Sequence, residues 1–105
     1  MAGAGDRPLP RAVRSRPDFA EAHYNLANEL ARTEAGRDEA IAHYRAALRA
    51  KPDLAVAHNN LAQLFYQAGA LDNAIRELEA ALRVNPRYED ARVNLESLRA
   101  LKKSR

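Results

Sequence analysis

The chain repeats itself. Pro17-Asp18-Phe19-Ala20 returns as Pro52-Asp53-Leu54-Ala55 at an offset of 35, and Pro52 returns as Pro86 at an offset of 34. Downstream of each proline the same apolar positions recur. His23, Leu26, Ala27 and Leu30 correspond to His58, Leu61, Ala62 and Phe65. Ala40, Ile41, Tyr44, Ala47 and Leu48 correspond to Ala74, Ile75, Leu78, Ala81 and Leu82. A unit of this length cannot bury its apolar face alone. It buries it against the next copy of itself, so the period predicts a stacked array before any other feature is weighed.

Each unit reads as two helices. At about 100° per residue, Ala22, His23, Leu26, Ala27 and Leu30 share one arc of a first helix, and Ala40, Ile41, Tyr44, Ala47 and Leu48 share one arc of a second. Gly36 and Gly69 stand between the helices, where a left-handed turn residue is wanted. Pro52 and Pro86 stop the second helices, because proline can neither donate its missing N–H nor clear the preceding turn. Hydrophobic residues make up 47% of the chain. Much of that is alanine, so the expected core is thin and the paired helices approach closely.

The pattern resembles the tetratricopeptide repeat, a helix–turn–helix unit with Trp, Leu, Gly and Tyr slots in its first helix, Ala and Phe slots in its second, and a closing proline. The resemblance covers roughly residues 12–101. His23 and His58 stand in the Trp slot, and Ala27 and Ala62 in the Gly slot. Histidine there is similar to the superhelical repeats of the O-linked N-acetylglucosamine transferase family. The resemblance implies an all-α fold, helical hairpins stacked in a right-handed superhelix, with two full repeats and a C-terminal capping helix. The expected organisation is a flexible segment over 1–16 that resembles the end of a preceding repeat helix, a first repeat over 17–51 and a second over 52–85. A capping helix over 86–101 and a basic tail over 102–105 follow. The first repeat is one residue longer, and the extra residue falls near Thr33–Ala35, predicting an extended first helix or a loosened turn. In the capping helix Glu96 and Arg99 stand where the repeats place apolar residues, so this helix is expected to turn a polar face to water.

Opposite the buried arc, the first helices carry Tyr24, Asn25 and Asn28, then Asn59, Asn60, Gln63 and Tyr66, and the capping helix carries Asn94. In the family geometry these line the inner groove. Asn25, Asn60 and Asn94 share one slot, so stacking would set their amides in a ladder. An amide offers both a donor and an acceptor, and an extended peptide presents both along its backbone. The resemblance supports this, since an asparagine ladder plays that part in the transferase superhelix; the alternative is that these amides bond only to neighbouring helices and water. Some relatives clamp a terminal carboxylate with Lys and Arg beside two Asn. Asn28 and Asn60 match those Asn slots, but Tyr24, Asp90 and Asn94 fill cation slots, which disfavours such a clamp.

The expected function is therefore a non-catalytic protein–protein interaction module that binds an extended segment of a protein or peptide partner. The alternatives are self-assembly as a homo-oligomer through the first repeat's outer edge, around Phe19, Tyr24 and Leu30, or a place within a longer repeat scaffold or enzyme. No catalytic residues, cofactor or metal are expected. The chain has no Cys, and phosphate-loop and nucleophile-elbow patterns are missing. His23 and His58 are expected to pack without acidic partners, and His43 to lie apart from both in solvent. The net charge of +3 collects at the ends, in Arg7, Arg11, Arg14, Arg16, Arg99, Lys102, Lys103 and Arg105. Such ends serve solubility, and neither nucleic acid nor membrane is an expected partner. With no export signal in MAGAGDRPLPRAVRSR, the default compartment is the cytoplasm.

Overall fold

A computed structural model describes residues 17–104. It holds five helices, α1 (Pro17–Leu30), α2 (Arg37–Ala50), α3 (Ala55–Gln67), α4 (Leu71–Val84) and α5 (Glu89–Lys103), with no strand among the described residues. The chain is all-α. Hairpin α1–α2 is followed by hairpin α3–α4, and α5 closes the stack. Pro52 and Pro86 sit in the turns after α2 and α4, as proline's missing N–H requires. Helix α5 runs through Lys103, two residues into the expected basic tail. The expected segment 1–16 lies outside the described residues.

Two apolar clusters form where units meet, and α3 belongs to both. Ala27, Ala40, Tyr44, Ala57, Leu61 and Leu64 fill the joint between the first hairpin and α3. Ala62, Leu71, Ala74, Ile75, Leu78, Ala81, Ala91 and Leu95 fill the space between the second hairpin and α5. Phe65 packs against both. The largest fully buried side chains are Leu61 and Leu78, and the rest of the interior is mostly alanine.

The buried arc of α1 is narrower than expected. Leu26 is 45% exposed although Leu61, in the same slot of the second repeat, is 1% exposed. Ala22 is exposed too. Leu61 has the whole first hairpin against it, whereas no described element flanks the outer side of α1. At the other end the capping helix behaves as expected. Ala91 and Leu95 are buried, Glu96 and Arg99 are exposed, and Arg99–Glu79 and Lys102–Asp72 ion pairs of 2.9 and 2.8 Å tie its rim to α4.

The two hairpin turns differ. Gly69 has φ +82°, its N–H reaches Tyr66 O at 3.0 Å, and Ala70 N–H reaches Phe65 O at 2.8 Å. This is the Schellman closure that a left-handed glycine permits. Gly36 has φ −88° and is not left-handed. It is needed for space, since a Cβ there would stand 2.2 Å from the carbonyl oxygen of Leu30. The extra residue of the first repeat is absorbed as a loosened turn. Helix α1 stops at Leu30, and the N–H of Gly36 bonds to the carbonyl and hydroxyl oxygens of Thr33, each at 3.2 Å.

Candidate functional site

Helices α1, α3 and α5 form a row, because each leads its unit; α3 and α5 follow the turns at Pro52 and Pro86, and α1 begins at Pro17. Their shared side is uncharged along Tyr24, Asn28, Asn59, Asn60, Gln63, Tyr66, Asn94 and Ser97. Asn60 Nδ2 donates to Tyr24 Oη at 3.2 Å and to Asn28 Oδ1 at 3.3 Å. Asn94 Nδ2 donates to Asn59 Oδ1 at 3.1 Å. The rule is the same at both joints. The asparagine of one helix reaches back to the residue just before the equivalent asparagine in the preceding unit. Asn25 opens the row and is exposed.

These bonds divide the expected site residues into two groups. Tyr24, Asn28 and Asn60 are half-buried at the first joint, while Gln63 and Tyr66 are exposed beside the second. Asn59, expected on the groove wall, is only 4% exposed and belongs to the second joint. A stranded polar group there would cost about 1–3 kcal/mol, and Asn94 provides the bond that avoids this. Two residues that the repeat pattern did not assign to this side also reach it. Tyr44, on the buried arc of α2, donates from its hydroxyl to Asn28 Oδ1 at 2.5 Å. The Tyr88 phenol interacts with Asn59. Burial raises both phenols above their ordinary value, so each keeps its proton at neutral pH. The signal for Tyr44 was its residue type, since a tyrosine in an apolar slot still brings a polar tip that needs a partner.

Between α3 and α5 lies a cavity of about 230 Å³. Ala62 and Leu78 are buried beneath it, Leu98 is half-buried, and Gln63, Tyr66, Asn94 and Ser97 surround the opening. The site thus combines an apolar floor with neutral donors and acceptors, which suits an uncharged side chain flanked by peptide backbone.

The histidines differ from expectation. His58 does have an acidic partner, Glu77, at 2.8 Å from its Nδ1, and His43 bonds to His23 with 3.0 Å between their Nδ1 atoms. The partners sit on the opposite helix of each hairpin, so spacing along one helix could not show them. No group of three or more potential metal ligands occurs among the described residues.

Stacked helical hairpins with a row of leading helices define a solenoid of the α-helical repeat class. Two family models match, TPR repeat over residues 37–69 and Tetratricopeptide repeat over residues 55–88. The chain is a tetratricopeptide repeat protein. Repeats of this family generally mediate protein–protein interactions and are generally non-catalytic. No curated protein matches the chain. No helix among the described residues is long and apolar enough to cross a membrane.

Proposed function

We propose that this chain binds an extended, uncharged segment of a partner protein along the α1–α3–α5 row, taken as the inner groove of the superhelix. The observation that supports this most is the neutral cavity between Gln63, Tyr66 and Asn94 in line with the interhelical amides. Asn60 and Asn94 direct their N–H groups into the joints, so their carbonyl oxygens are the acceptors for peptide N–H groups. Asn25 offers a whole amide, Tyr24 and Asn28 flank the first joint, and Asn59 positions Asn94. Affinity is expected in the micromolar range, because the groove is short and ordering a free peptide costs entropy. The test is an extended-peptide library screened against the wild type and Asn25→Ala/Gln63→Ala. Both positions are exposed, so the helical signal should be kept while binding weakens. Unchanged binding on an intact fold would reject these roles.

A second reading has its own support in Leu26, which leaves an apolar spot on the outer side of α1. A second copy paired there would make assembly the function. Light scattering across concentrations tests it, and a monomer at every concentration would remove it.

A further inference from the structure

The two hairpins carry matched but chemically different latches between their helices. His23 and His58 share a slot, as do His43 and Glu77, and Arg49 and Arg83. In the first hairpin the two imidazoles meet nitrogen to nitrogen, with Nδ1 atoms 3.0 Å apart, ring centroids 5.2 Å apart and planes inclined by 28°. The centroid spacing exceeds the nitrogen spacing by about two ring radii, so the nitrogens face each other along the line between the rings. Only one proton fits there. The bond needs one N–H and one lone pair, so it survives in the neutral or singly protonated pair and is lost when both Nδ1 atoms carry hydrogen. In the second hairpin His58 Nδ1 meets Glu77 Oε1 at 2.8 Å and His58 Nε2 meets the Pro52 carbonyl oxygen at 3.0 Å. Both nitrogens face acceptors, and only an imidazolium supplies two N–H groups.

We propose that the hairpins respond to acid in opposite directions: hydrogen on both facing nitrogens of the His23–His43 pair loosens α1 from α2, while protonation of His58 fastens α3 to α4. The surroundings agree. Burial, then His43, then the Arg49 charge hold His23 below the ordinary imidazole value. For His58, burial is the largest single influence and favours the neutral ring. The bonds to Glu77 and Pro52 together with the Glu77 charge outweigh it and Arg83, and the net shift is upward. Phe19 closes the other side of His23, ring edge to ring face at 4.8 Å, and brings no charge. The first latch is complete above the unperturbed value of about 6.5 and is lost as pH falls through the lowered titration. The second is complete below about 6.5 and is lost as pH rises through the raised one. Helix α1 carries Tyr24 and Asn28, so acid loosens one end of the row while the α3–α4 unit stays fastened. The device does not depend on what the groove binds.

The test is native-state hydrogen exchange on the full chain, with protection factors for α1 and α3 amides between about pH 7.5 and about pH 5. Each unit by which a latch's titration is displaced corresponds to about a tenfold change in its opening equilibrium. Protection in α1 should fall several-fold in acid, while protection in α3 holds or rises. His43→Glu gives the first hairpin the carboxylate of the second and should abolish the fall in α1, and Glu77→His should transfer the fall to α3. Ring nitrogen-15 shifts of the wild type need no variant: His58 should be an imidazolium at pH values where His23 is neutral. The proposal is overturned if α1 and α3 protection change together, if His43→Glu leaves the acid response of α1 intact, or if His58 loses its proton before His23 does.

Discussion

Asn94→Ala separates an amide that serves a ligand from one that holds the frame. Asn59 is 4% exposed, and its Oδ1 accepts from Asn94 Nδ2 at 3.1 Å. Removing Asn94 strands that oxygen where water scarcely reaches, a loss of about 1–3 kcal/mol. Asn94 is itself half-buried, so little apolar burial goes with it. With a urea slope of about 1–2 kcal/mol per molar for a chain of this size, the unfolding midpoint followed by far-ultraviolet circular dichroism should drop by about 0.5–3 M. The decisive comparison is the double-mutant cycle with Asn59→Ala. Once Asn59 is gone, removing Asn94 should cost little, leaving a coupling of at least about 0.5 kcal/mol. An unmoved midpoint in Asn94→Ala, or strictly additive losses in the double variant, would refute this account of the joint.

Other outcomes follow from the same geometry. Leu61→Ala should cost about 2–5 kcal/mol, while Leu26→Ala, in the same slot but 45% exposed, should cost about 1 kcal/mol or less; denaturant midpoints compare them. Gly69→Ala at φ +82° should cost about 1–2 kcal/mol. Gly36→Ala should cost more despite its ordinary φ, because the new Cβ falls 2.2 Å from a backbone oxygen; thermal melts order the pair. In Glu77→Gln the second latch loses its charge partner and only the response of the first hairpin remains. Lowering pH from about 7.5 to about 5.5 should then reduce stability more than in the wild type, as read by urea midpoints at each pH.

The hairpins were legible because the period and the apolar spacing are local facts. Pro52 and Pro86 end helices wherever they occur, Ala27 and Ala62 fall on faces that must be buried, and Glu96 and Arg99 mark α5 as a cap without reference to any neighbour. The candidate site was legible only as a set of slots. That Asn25, Asn60 and Asn94 recur at one position followed from counting. That Asn60 reaches Tyr24 and Asn28, and that Asn94 reaches Asn59, depends on how far one unit slides past the next, which no single unit encodes. The same limit hid the partners of His23 and His58, which lie across each hairpin.

Sequence alone therefore determined the repeat, the paired helices, the proline stops and the polar character of the row. Those properties belong to residues and their neighbours along the chain. Tertiary structure decided which amides turn inward, which leucine of an equivalent pair is covered, and why one glycine supplies a left-handed turn and the other only room. Each of these depends on what stands opposite a side chain, and only the packing of one unit on another sets that.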